Sequence, residues 1–128
     1  MIAIVDYGMG NVRSLSNAFE YLGEDVVVTD DAQVMDDADR IVLPGVGAFG
    51  DAMQAMHQRG VIAPLNRQVH EFRKPVLGIC LGMQLLASHS TEGADARLGT
   101  QVKGPDLIPG KVVNLRDLNC QMRIPHVG

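Results

Sequence analysis

What this 128-residue sequence has little of narrows the reading first. It holds only two cysteines, Cys80 and Cys120, without metal-ligand spacing; in a reducing compartment such a pair stays free rather than bridged. Nowhere do apolar residues run for the roughly 20 positions that a membrane-spanning helix needs. Cationic side chains are few: 11 Lys and Arg stand against 15 Asp and Glu, a net charge of −4. They are scattered rather than striped, which argues against a nucleic-acid or anionic-membrane partner. Met1 leads straight into Ile2-Ala3-Ile4-Val5-Asp6 without a charged leader or cleavage site, so the expected location is the cytoplasm. No repeat, low-complexity stretch or linker interrupts the chain. With 46% hydrophobic residues it can bury an ordinary core, and a single domain over 1–128 is expected.

What is present centres on Val76 to Leu86, where an apolar run meets a cysteine framed by two glycines. Pro75 to Ile79 reads as a buried parallel strand, and Leu81, Leu85 and Leu86 repeat at helical spacing beyond it. Cys80 therefore falls at a strand-to-helix turn. A lone cysteine in an apolar strand is most often a small buried hydrophobe. Gly78-Ile79-Cys80-Leu81-Gly82, however, has the G-x-nucleophile-x-G form of a nucleophile elbow, whose flanking residues must be small because two backbones approach there. The N–H groups opening the following helix favour thiolate over thiol, and that of Leu81 can point at an oxyanion.

The rest of the chain supplies a frame. Ile2–Val5 reads as a first strand, and Tyr7 to Asn11 turn the chain. Val12, Leu15, Ala18, Phe19 and Leu22 then mark a helical face that Gly23 stops. Asp25 to Thr29 follow as a second strand. Gly8 and Gly10 invite a dinucleotide reading, but Arg13 replaces the third glycine of that fingerprint, and a loop facing a polar partner fits better. Asp30 to Asp39, with five aspartates, fits a short solvated helix or loop rather than a metal site. Arg40 to Leu43 form a third strand, ended by Pro44-Gly45-Val46-Gly47; this loop and the elbow then share the carboxyl side of one open parallel sheet and could serve one oxyanion.

Phe49, Ala52, Met53 and Met56 line one helix, and Ile62, Leu65, Val69 and Phe72 another. His57 and His70 read as ordinary helical histidines. Ser88 to Arg97 reads as a surface loop, and His89, about 13 Å from Cys80 along a continued helix, is out of reach as a base. Two proline-interrupted runs, Leu107 to Leu115 and Met122 to Gly128, read as short edge strands or strand ends.

Asp6-Tyr7-Gly8-Met9-Gly10-Asn11, Pro44-Gly45-Val46-Gly47-Ala48-Phe49, Gly78 to Leu86 and Pro125-His126-Val127-Gly128 together resemble class I glutamine amidotransferases, nearest to the branch that serves imidazole glycerol phosphate synthases. The resemblance covers the whole chain. It implies an α/β, flavodoxin-like, open and mostly parallel sheet with helices on both faces, and hydrolysis of glutamine to glutamate. Ammonia would pass to a (β/α)8-barrel cyclase subunit in histidine biosynthesis. Cys80 would be the nucleophile, with the N–H of Leu81 and one in Val46-Gly47 as oxyanion hole. Gln84 and Gly45 would hold the substrate, and Gly8, Met9, Gly10 and Asn11 would face the partner. No cofactor or metal is implied. The family completes its triad with a His and a Glu in an H-P-E motif that no residue here matches, so the chain reads as C-terminally incomplete. Two readings stay open: the N-terminal part of a Cys-dependent glutaminase, or a short non-catalytic relative serving as a binding or scaffolding subunit.

Overall fold

Four short runs of β-branched and aliphatic residues pair as parallel strands: β1 (Ile2–Val5), β2 (Val26–Thr29), β3 (Arg40–Leu43) and β4 (Val76–Gly78), in the order β2-β1-β3-β4. The computed structural model describes residues 1–92 and 101–123. Ile2 lies opposite both Val26 and Arg40, and Ile41 opposite Val76. Side chains alternate across each strand, so this register sorts the apolar residues into two layers. Ala3, Val5, Ile41 and Leu43 face the larger core with Met35 of α2 (Ala32–Asp37), Phe49, Ala52, Met53 and Met56 of α3 (Phe49–Arg59) and Leu65 of α4 (Ile62–His70). Ile2, Ile4 and Val42 face the other side, against Val12, Leu15 and Phe19 of α1 (Val12–Tyr21). Helices thus cover both faces of a mostly parallel sheet, the flavodoxin-like arrangement expected.

Beyond β4 the chain makes one helical turn, α5 (Leu81–Gln84), then β5 (Ala87–Ser90), β6 (Val102–Lys103), β7 (Ile108–Val112) and a 3-10 turn at Leu115–Leu118. The last strands form a second sheet, β6-β5-β7, with β6 antiparallel and β7 parallel to β5. It joins the larger core through Leu107, and the Glu92 carboxylate accepts from the Phe49 N–H at the start of α3, 3.1 Å away.

Several expectations need correcting. β4 is parallel but not buried: as the edge strand, it leaves Leu77 52% exposed. Ala18 and Leu22 are exposed, because α1 needs only Val12, Leu15 and Phe19 to cover the narrow face beneath it. The helical spacing of Leu81 and Leu85 holds for one turn, with the Leu85 N–H donating to the Leu81 carbonyl at 2.9 Å; just past it strand pairing takes over, and the Ile108 N–H donates to the Leu86 carbonyl at 2.7 Å. For the same reason Ser88 to Ser90 belong to a strand rather than a loop; 93–97 lie outside the described residues. Phe72 is exposed beyond the end of α4, with Arg67 and Lys74 each 5.2 Å from its ring centre. Pro109 lies in β7, an edge strand as proline there suggests, whereas 124–128 of the run from Met122 to Gly128 lie outside the described residues.

The aspartate-rich segment is a helix that works structurally. Asp31 caps it by accepting from the Gln33 N–H, and Met35 anchors it in the core. The Asp36 carboxylate accepts from Arg67 and from the Gln68 amide, and the Lys74 ammonium donates to the last carbonyls, Met35 and Asp36.

Candidate active site

In a sheet ordered 2-1-3-4 the chain leaves the adjacent carboxyl ends of β1 and β3 in opposite directions, the place where open α/β sheets commonly bind ligands. β4 lies next to β3, so its following turn stands beside that place. Cys80 occupies that turn, exposed, at φ +54° and ψ −121°. Non-glycine residues rarely adopt such a conformation, and its cost is tolerated only where the surroundings hold the chain in place. Here the surroundings are backbone. A Cβ on Gly82 would collide with the Leu43 carbonyl, one on Gly78 would fall 2.6 Å from Met83 Cα, and one on Gly45 2.7 Å from the Gly82 nitrogen. The elbow and the loop after β3 are thus in direct backbone contact.

Leu81 is buried, and among the described residues its N–H has no intramolecular acceptor. Because α5 is a single turn, its dipole is far weaker than that of a full helix. Gln84, half-buried, ends the turn. Gly45 is buried, while Val46 and Gly47 are exposed, with Gly47 at φ +84°. Gly8 and Asn11 are exposed and Met9 and Gly10 half-buried; a Cβ on Gly10 would sit 3.2 Å from Pro44, and one on Gly47 3.4 Å from Met9. The two glycine-rich loops therefore touch. Asn11 is also the N-cap of α1, accepting from the Ser14 N–H.

Sequence reasoning gave Tyr7 no role of its own. Its hydroxyl, buried, donates to the Pro44 carbonyl at 2.7 Å, and desolvation pushes its pKa up to about 12. Its place directly after β1, at a carboxyl strand end, is the signal that could have found it.

No acid–base partner of Cys80 emerges among the described residues, and its sulfur makes no hydrogen bond there. His57 and His70 line a groove along α3 and α4 with Ile62 and Arg67, and His89 lines another with Ser88, Lys103 and Asp106; neither groove includes Cys80. The helix expected to carry His89 away ends at Gln84, so the separation expected along it does not apply; His89 stands on β5 instead, in a groove whose lining does not include Cys80. His126 lies outside the described residues. Among the described residues no three His, Cys, Asp or Glu side chains gather to hold a metal ion, and no helix is long and apolar enough to cross a membrane.

An open parallel sheet with helices on both faces and a cysteine at positive φ at a carboxyl strand end defines an α/β frame, and the match to known proteins specifies the family. Residues 3–126 match the family model of class-I glutamine amidotransferases, and the chain belongs to that family. It is 50% identical over 127 residues to the imidazole glycerol phosphate synthase subunit HisH 2 of Nitrobacter winogradskyi, covering 99% of this chain and 59% of that protein. It is 48% identical to the HisH subunit of Moorella thermoacetica, over 99% of this chain and 56% of the relative. The corresponding subunit of Methanothermobacter thermautotrophicus is 47% identical, over 100% and 59%. The chain thus spans between 56% and 59% of the length of these relatives.

Proposed function

We propose that this chain is the nucleophile-bearing part of a HisH-type glutaminase, which hydrolyses glutamine to glutamate and passes the ammonia to a (β/α)8-barrel cyclase partner for imidazole glycerol phosphate formation in histidine biosynthesis. The observation that carries the reading is Cys80, exposed at positive φ between glycines whose space is filled by neighbouring backbone. Residues 1–128 would then belong to one amidotransferase domain, working in the cytoplasm.

In this reading Cys80 Sγ attacks the side-chain amide carbon of glutamine. The carbonyl oxygen becomes an oxyanion, which accepts from the N–H of Leu81 and from one in Val46-Gly47. Collapse breaks the C–N bond, and the nitrogen takes up a proton and leaves as ammonia. Water then attacks the thioester, releasing glutamate and the thiol. Gln84 and Gly45 hold the substrate, and Gly8 to Asn11 form the docking surface for the cyclase. Protonating the leaving nitrogen and activating the water require an acid–base group, which the family supplies from its H-P-E motif.

The test is 6-diazo-5-oxonorleucine, an electrophilic glutamine analogue. It should modify Cys80 ahead of Cys120, and free glutamine should protect. Labelling that glutamine does not slow would overturn the reading. The second reading, a short non-catalytic binding subunit, predicts partner binding without any labelling.

A further inference from the structure

We infer that Tyr7 is a positioning residue for the oxyanion loop: its buried hydroxyl, donating to the Pro44 carbonyl, sets the peptide from which Gly45, Val46 and Gly47 proceed. The inference rests on the reading of Cys80 as a nucleophile served by that loop, and adds the group that aims it.

A peptide unit is planar and rigid, so a hydrogen bond that fixes the direction of the Pro44 carbonyl also fixes the opposite direction of the Gly45 N–H. The hydroxyl lies where the loop meets the elbow. A Cβ on Gly45 would be 2.8 Å from it and 2.7 Å from the Gly82 nitrogen, so the same few ångströms hold β1's tyrosine, the loop after β3 and the turn after Cys80. Tyr7 is 1% exposed and Pro44 is buried, so water does not readily replace the hydroxyl if it is lost. A carbonyl left unpaired in a buried site gains by rotating toward another donor. Glycines at 45 and 47 offer little resistance to that rotation, since they accept backbone angles that other residues resist. A phenol is neutral, and so a donor, at neutral pH, and burial, which raises its pKa to about 12, extends that state to higher pH.

Two reactions of Cys80 separate positioning from general structural support. With p-nitrophenyl acetate, Sγ attacks the acetyl carbon, the carbonyl oxygen becomes an oxyanion, and p-nitrophenolate leaves without needing a proton, giving S-acetyl-Cys80. With iodoacetamide, Sγ displaces iodide from a CH2 carbon and no oxyanion forms. Both rates are measured by mass spectrometry on residues 1–128 carrying Cys120→Ser, with and without Tyr7→Phe, and expressed as an acylation-to-alkylation ratio. Tyr7→Phe should lower that ratio about tenfold while alkylation stays within about twofold, as expected when oxyanion donors are displaced by a fraction of an ångström.

A ratio unchanged by Tyr7→Phe overturns the inference, and so does an equal fall in both rates. A wild-type ratio no higher than that of glutathione would instead remove the oxyanion site itself, and with it the reading on which the inference rests. Circular dichroism checks the fold of each sample. Should Tyr7→Phe be partly unfolded, the comparison is repeated for all proteins in trimethylamine N-oxide, which strengthens burial, and the same two outcomes decide.

Discussion

Cys80 holds a backbone conformation that suits glycine better than any side-chain-bearing residue, and the strain is spent on exposing its sulfur. Cys80→Gly should therefore relieve it. In urea titrations the variant should be at least as stable as wild type, by up to about 1 kcal/mol, since relief of strain outweighs the added freedom of the unfolded chain. A clear loss of stability would show that the conformation is unstrained. Tyr7 makes a different prediction, in pH. Its folded pKa, about 12, lies above the usual 10, so its contribution is complete below pH 10 and is lost as pH rises from about 10 to 12. Wild type should lose stability across that window more steeply than Tyr7→Phe. Equal slopes would place the phenol in a wetter site.

At the scale of elements, α3 begins without a cap of its own. Ala48 occupies the N-cap position and offers no side-chain acceptor, and the Phe49 N–H is served instead by Glu92, which follows β5 in the second sheet. A carboxylate there also meets the positive end of an 11-residue helix. Glu92→Ala should destabilise by about 1 kcal/mol, the usual cost of losing a cap, and Glu92→Gln by less. Chemical denaturation measures both; a midpoint unchanged in Glu92→Ala would mean that water takes the carboxylate's place. The contact also matters for position, because α3 starts directly after the Pro44–Ala48 loop. The small sheet therefore steadies one side of the candidate site.

At the scale of the whole molecule, Cys80 lies in a well-formed elbow, yet no described acid or base reaches it. Residues 1–128 should accordingly turn glutamine over slowly. A missing general base costs on the order of 10²–10⁴ in rate. On the proposed glutaminase reading, a chain extended to the length of the relatives, with its proposed cyclase partner bound, should release glutamate far faster. Turnover by 1–128 at ordinary enzyme rates, abolished by Cys80→Ala, would reveal a base among these residues. Among the described residues β4 is an edge strand, and Leu77 on it is exposed.

Much of this was legible from one end of the chain to the other. The first three strands and the helices α1, α3 and α4 followed from short apolar runs and helical spacing, because neighbours in sequence decide those periodicities. Glycines at 78 and 82 marked the elbow, since only they fit where backbones meet. What sequence alone did not settle depended on partners distant along the chain. Leu81 and Leu85 formed the helical turn their spacing called for, but from Ala87 onward pairing of β5 with β7 drew the chain into a strand, and long-range hydrogen bonds outweighed local preference. Leu77 looked buried until strand order put it at the edge. Tyr7 is an aromatic residue after a strand in sequence; only the fold sets its hydroxyl against Pro44, 37 positions away, where one hydrogen bond ties two loops of the site together.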